Sequence, residues 1–303
     1  PIHVVGHVDA EQAADAVALD VSLVAYETAL IDALSREAVQ AKRTIRVQMK
    51  AETGTNRQGL RLDGLQALAR HAAGRPGIEL EGLSMHFADI EDTTDHTFAR
   101  SQLSAFQAIA TALRAEGFAL PVLSVANSAA TILWPETHLG MVRVGISAYG
   151  MWPSRETLLS AAMAHRDRLA LRPALTWKTR IAQIKVVPPG EYVGYGRAFR
   201  ATGAVRIAIL PVGYYDGYDR KLSGLAHVLI AGRRAPVRGR ICMNMTMVDV
   251  TDIPEAMAGS EVVLMGDSGD EHLNAEQLAS WIGTINYEVT TRIAESVPRL
   301  QVA

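Results

Sequence analysis

Residues 45–74, IRVQMKAETGTNRQGLRLDGLQALARHAAG, decide the fold. Ile45–Met49 is a short apolar run of strand type, and Leu60–Ala73 repeats its apolar residues at helical spacing. Between them, Lys50 through Arg57 sets cations at the point where the strand ends. The same unit recurs on either side. Upstream, Ile2–Val5 and Val21–Ala25 read as strands, and Ala10–Leu19 and Thr28–Val39 as helices, with Leu30, Ile31, Leu34 and Ala38 on one face. Downstream, Gly82–Phe87 is a strand, and Phe98, Leu103, Phe106, Ile109 and Leu113 form a stripe closed by Gly117 as a C-cap. Val122–Val125, a helix from Ser128, and a strand over Met141–Val144 complete the series. Strands alternating with helices of about 10–15 residues imply a parallel sheet with crossover helices.

The polar residues fall at matching places in this series. Arg57, His86, Asn127-Ser128 and Arg143-Val144-Gly145-Ile146 each stand at the carboxyl end of an apolar run. That is where a (β/α) barrel builds a catalytic site. Each also has an ordinary reading: a solvated loop for 50–57, a core histidine for His86, a helix N-cap for Asn127. The start of the helix at Ser128 and the Gly145-Ile146 pair equally offer N–H groups to a phosphate. Arg143 is harder to explain as packing, because a buried arginine needs a partner. Taken together, the four point to a small-molecule site.

Beyond Arg172-Pro173 the texture changes. Thr176–Val187, Arg206–Val212, His227–Ile230, Pro236–Val250 and Glu261–Met265 are strand-like, separated by Gly- and Pro-bearing turns, and Asn274–Ile282 reads as a helix. Met243, Met245 and Met247 alternate with polar residues, as on a sheet with one wet face. Two domains are expected, 1–160 and 161–303, the second mostly antiparallel. A formal charge of -2 over 303 residues leaves no basic footprint for nucleic acid or anionic membrane. The single cysteine, Cys242, excludes an internal disulfide and a Cys-based zinc site, no metal is called for, and a reducing cytoplasm is the expected location. PIHVVGHVDA lacks the basic and apolar regions of a signal peptide, and no run approaches the ~20 apolar residues of a membrane span.

The segments KAETGTNRQG, GLSMHFA, VANSAA, MVRVGISAYGM, LTWKTRIAQIKVVPPGEYVGYG, ILPVGYYDGYDR, VRGRICMN and INYEV…VPR extend over nearly the whole chain. In order and spacing they resemble the fold-type III pyridoxal-phosphate alanine racemases. The resemblance implies a (β/α)8 TIM-type barrel followed by a β-rich domain, pyridoxal 5'-phosphate as cofactor, and interconversion of L- and D-alanine. Ser128, the Gly145 and Ile146 amides and Tyr287 would hold the cofactor phosphate beside Asn127, and His86 would stack on the pyridine ring. Arg143 would donate to the ring nitrogen. As a permanent donor it yields no proton there, which leaves a weaker electron sink than an aspartate partner would and suppresses transamination.

By the same resemblance Tyr195 is the acid/base on one face of the substrate. An unperturbed tyrosine has a pKa of ~10, so it needs cationic support, which His86 and Arg143 would relay. Arg57 and the Met243 amide would bind the substrate carboxylate, with Lys50, often carbamylated in relatives, orienting Arg57. In relatives Tyr195 and Met243 reach the opposite subunit, which implies a head-to-tail homodimer with a shared site.

Two departures stand out. Cys242-Met243-Asn244 replaces the Cys-Met-Asp of many relatives, removing a carboxylate beside the substrate anchor. None of Lys42, Lys50, Lys178, Lys185 and Lys221 lies in the family's Lys-x-x-x-Tyr-Gly-His-Gly setting of the Schiff-base lysine. Matched by motif order, Ile2–Val5 corresponds to the third barrel strand. The expectation is therefore a barrel short of its first two strands, with about 80 residues lost. A broad-specificity racemase, or a catalytically impaired homologue if the chain is complete, is the alternative. A basic amino-acid decarboxylase is disfavoured, since Cys242 is followed by Met243-Asn244 and not by acidic residues. A mere cofactor carrier has no use for Tyr195, Arg57 and Met243.

Overall fold

The computed structural model describes residues 2–164 and 169–302, in two compact units, 1–172 and 173–303. In the first unit β1 (His3–Val4), β2 (Ser22–Ala25), β3 (Ile45–Lys50), β4 (Ile78–Ser84) and β5 (Val122–Ser124) form one sheet in chain order. Every pair is parallel, with His3 beside Ser22, Leu23 beside Val47, Ile45 beside Ile78 and Gly82 beside Val122. Helices α1 (Ala13–Ala18), α2 (Thr28–Ala41), α3 (Leu62–Ala73), α4 (Thr97–Ala115), α5 (Ser128–Leu133) and α6 (Arg155–Met163) complete the unit.

Strand β3 shows why the sheet forms. Its alternate residues Ile45, Val47 and Met49 are buried in one core with Leu34 of α2, Leu65 and Leu68 of α3 and Phe106 of α4. At about 25 cal/mol per Å² of apolar surface removed from water, such interleaving supplies the main drive for the unit. Arg46, Gln48 and Lys50 alternate with them. The Gln48 amide donates to Glu81 (3.1 Å), and Lys50 is buried at the strand's carboxyl end. Val47 pairs with Leu80 but Gln48 with Gly82, so Glu81 is an extra residue in β4. Gly82 is required there, because a Cβ would lie 1.9 Å from the Val122 carbonyl oxygen.

The sequence-based expectation of a (β/α)8 barrel lacking two strands is corrected. The described residues form an open parallel half-barrel of five strands, with β1 paired to β2. Met141–Val144 is not a further strand. Among the described residues, this stretch and the glycine before it are tied to β5 and its extension by the backbone bonds Gly140 N–H to Leu123 and Arg143 N–H to Ala126. Val142 and Val144 are exposed, so little apolar burial favours a ladder there.

The second unit is mostly antiparallel. Strands β6 (Trp177–Arg180), β7 (Gln183–Val187), β8 (Tyr192–Val193), β9 (Phe199–Arg200) and β10 (Val205–Leu210) are followed by β11 (His227–Ile230) and β12 (Arg233–Pro236). Then come β13 (Thr246–Asp249), β14 (Glu261–Ser268), β15 (Glu271–Leu273), α7 (Ala275–Ile282) and α8 (Asn286–Thr291). One sheet runs β13-β10-β7, another β12-β11-β14-β15 with β6 on β14, and β8-β9 is a hairpin. The run 176–187 divides because Ile181 donates to Ser260 and Ala182 to Ile209, so the chain changes sheets between them. The run 236–250 divides too, around a loop. Met243 and Met245 are exposed on that loop, while Met247 is buried in β13, so the three do not share one strand face. Asn274 caps α7 by accepting from Gln277 N–H (2.8 Å). Among the described residues no helix is long and apolar enough to cross a membrane.

Candidate active site

Four of the expected residues meet at the carboxyl ends of β3 and β4. Lys50 closes β3, and a recess beside it is lined by Glu52, Thr55, Arg57, Gln58 and His86. The Arg143 guanidinium lies across the ends of β4 and β5. It donates to the carbonyls of Met85 (2.6 Å) and Val125 (3.4 Å), to Ser124 Oγ, and to His86 Nδ1 (3.4 Å). Arginine has no acceptor, so His86 Nδ1 must be the unprotonated nitrogen and its proton sits on Nε2.

The electrostatics are one-sided. Burial, then the charges of Arg143, Lys50 and Arg57, pushes His86 down to about 4, so the ring is a neutral plane at physiological pH. Burial, then Arg143 and Arg57, brings Lys50 down to about 7, against an opposing pull from Glu52. Burial alone lowers Arg143 to about 10. Three cations with one carboxylate among them form a site short of negative charge, suited to anionic ligands.

A second group forms at β5 and the turn after Arg143. Asn127 caps α5, its Oδ1 accepting from Ala130 N–H (3.0 Å). Ser128, buried beside it, accepts from the N–H groups of Gly145 (3.1 Å) and Ser147 (3.4 Å). Ile146 opens the 3-10 turn Ile146–Tyr149. A Cβ on Gly145 would meet nothing within 4 Å, so space lies open beside Gly145, whose own N–H is taken up by Ser128. An oxyanion with three acceptor oxygens fits such a turn. The flat neutral histidine, the permanent guanidinium donor and this cradle together match the three parts of pyridoxal phosphate: ring face, ring nitrogen and phosphate.

The remaining three expected residues belong to the second unit. Tyr195 follows Gly194 (φ 72°) and is 72% exposed. Met243 lies on the loop after β12, which touches two neighbours. At Gly194 a Cβ would sit 3.5 Å from Arg240 N, and Tyr214 and Tyr215 donate to the carbonyls of Cys242 (3.1 Å) and Met243 (2.8 Å). Among the described residues no protein acceptor takes the Met243 N–H, which leaves it available to a carboxylate. Tyr287 is half-buried in α8, its carbonyl accepting from Thr291 Oγ1 (2.9 Å).

Several supporting residues are not evident from the sequence. Gln102, fully buried on α4, accepts from Ala88 N–H (2.9 Å), and Thr55 Oγ1 donates to the His86 carbonyl (2.7 Å). They tie the Arg57 loop and the His86 loop together. A polar residue inside the apolar face of α4 is the signal that identifies Gln102, and the stripe as read passed one position beside it. Ser124 and Glu91 carry no such mark.

Residues 1–153 match the family described as "Alanine racemase, N-terminal domain", and residues 174–301 match "Alanine racemase, C-terminal domain". The first match corrects the expectation to this extent: the family's N-terminal domain is present, over residues 1–153. An alanine racemase of Leptospira interrogans is 42% identical over 257 residues, spanning 85% of this chain and 66% of the relative. One from Desulfovibrio desulfuricans is 39% identical over 302 residues, spanning 100% of this chain and 78% of the relative. The chain thus spans about two thirds to four fifths of their lengths. The crystal structure of alanine racemase from D-cycloserine-producing Streptomyces lavendulae superposes with a TM-score of 0.91 at 33% identity, covering 100% of this chain and 78% of that one. The chain belongs to the alanine racemase family, the pyridoxal-phosphate-dependent isomerases of fold type III.

Proposed function

We propose that this chain interconverts L- and D-alanine, with its first unit as the cofactor-binding domain. The observation that carries this reading is buried Lys50 with half-buried His86 and Arg143 beside Arg57, a set short of negative charge and next to the open space at Gly145. When bound, pyridoxal phosphate supplies the electron sink that makes the α-C–H of an amino acid acidic.

Residues of this chain take the following parts, none of which is that of the Schiff-base lysine. Ser128 and the Gly145 and Ile146 amides hold the phosphate, with Asn127 fixing the cap beneath them and Tyr287 adding a hydroxyl. His86 lies against the ring, neutral and planar. Arg143 donates to the ring nitrogen without protonating it. Arg57 and the Met243 N–H hold the substrate carboxylate, Lys50 sets the position of Arg57, and Tyr195 Oη takes or returns the proton at Cα. Tyr195 and Met243 come from a second copy of the chain, so the working assembly is a homodimer with small amino acids as substrates. The exposure of Tyr195 and Met243 supports that reading.

Loss of optical rotation from L-alanine, followed with added cofactor, tests the proposal. Tyr195→Phe should lower the rate by at least about 100-fold through loss of proton transfer at one face, while cofactor uptake stays intact. Equal rates for the two proteins, or no racemisation by the cofactor-loaded wild type, would overturn it.

A further inference from the structure

We infer that Glu91 is a positioning residue for the phosphate end of this site. Its carboxylate holds the Asn127 amide in the orientation that caps α5 and keeps Ser128 Oγ beneath the Gly145 and Ser147 amides. The inference rests on the racemase reading, which assigns that turn to the cofactor phosphate.

Both ends of the Asn127 amide are committed. Nδ2 donates to Glu91 Oε1 at 2.7 Å, and Oδ1 accepts from Ala130 N–H at 3.0 Å. An amide flipped by 180° would set its N–H against the Ala130 N–H and its oxygen against a carboxylate. Glu91 therefore selects the orientation that caps the helix. The adjoining residue is the one whose hydroxyl gathers two turn amides, so a loosened cap is felt at the cradle.

Glu91 is itself delivered by a fixed backbone. Its carbonyl accepts from Ser154 Oγ (3.1 Å), and the same hydroxyl caps α6 by accepting from Thr157 N–H (3.0 Å). Two residues on, Thr93 Oγ1 accepts from Ser160 Oγ (2.7 Å). Burial raises the Glu91 carboxyl above the ordinary range, with Asp89 adding to the effect and the Asn127 hydrogen bond opposing it. The role does not need a charge: an amide oxygen at position 91 can accept from Asn127 equally well.

The variants Glu91→Met and Glu91→Gln separate this role from bulk and from charge. Uptake of pyridoxal 5'-phosphate and of pyridoxal, which lacks the phosphate, is measured by absorbance titration of the folded chain. E91M should weaken pyridoxal phosphate about 5-fold or more, the usual effect of losing a cap-type hydrogen bond, and leave pyridoxal unchanged. E91Q should bind both within about twofold of wild type, since the acceptor is kept. Exchange of the Ala130 amide should be several-fold faster in E91M and of wild-type rate in E91Q, a readout that needs no ligand. Equal weakening of both ligands, wild-type behaviour of E91M, or an E91Q that behaves like E91M would overturn the inference and leave the racemase reading standing. A folded wild type that takes up neither ligand would overturn both.

Discussion

At the scale of single residues, the site gathers basic groups where burial disfavours their charged forms. Lys50 falls from 10.5 to about 7 on folding, so between those values the unfolded chain holds the proton and the folded chain does not. Stability therefore rises with pH across that window, and the penalty of a buried charge is fully present below pH 7. Lys50→Met should remove this rise and stabilise the ligand-free protein near pH 6 by on the order of a few kcal/mol. Urea unfolding of both proteins at pH 6, 8 and 10 checks it, and parallel curves would refute the assignment. Arg143 carries the opposite expectation. Arg143→Lys cannot serve two carbonyls, a hydroxyl and His86 at once, so about 2 kcal/mol of stability should be lost along with cofactor affinity. A thermal melt beside a cofactor titration reads both effects. The residue types of the site were legible in the sequence because charged and aromatic groups stood out against short apolar runs. Glu91 and Ser124 were not, since their roles depend on which atoms face them across loops.

At the scale of elements, β4 and β5 set the geometry. Gly82→Ala places a methyl 1.9 Å from the Val122 oxygen, which must push β5 away from β4 or shift the Glu81 bulge. The expected cost is about 3 kcal/mol, at the upper end for overpacking. It should come with weaker cofactor binding, because Arg143 straddles the ends of these two strands. A melting temperature within a degree of wild type would contradict this close approach. Alternation of strand and helix was legible in the first unit as far as α5, since period 2 and period 3.6 differ within a few residues, but Met141–Val144 is not the strand its apolar pattern suggests. The start of β4 at Ile78 was missed because Glu79 and Glu81 break its apolar run. Likewise Ile181-Ala182 look like strand interior, and only their hydrogen-bond partners reveal a change of sheet.

At the scale of the whole molecule, the proposed homodimer makes a prediction that no single variant can. Arg57→Ala and Tyr195→Phe, each inactive alone, should complement when mixed and allowed to exchange subunits. A mixed dimer has one site with both changes and one with neither, so random exchange restores about a quarter of wild-type activity. No recovery after demonstrated exchange would place Arg57 and Tyr195 in one copy's site. The two units divide between Arg172 and Pro173, where the texture changes, while the domains expected from sequence divide at 160/161. The half-barrel was not legible, because motif order counts strands but does not show how they pair. One further consequence follows from Arg143 gripping Met85, Val125 and Ser124. Catalytic groups are commonly a burden on the scaffold, and trading them away tends to make a protein more robust. Here the same side chain ties the ends of two strands together and is the proposed donor to the cofactor, so robustness and function should decline together. Engineers seeking a hardier variant should leave Arg143 alone and look to the exposed helices instead.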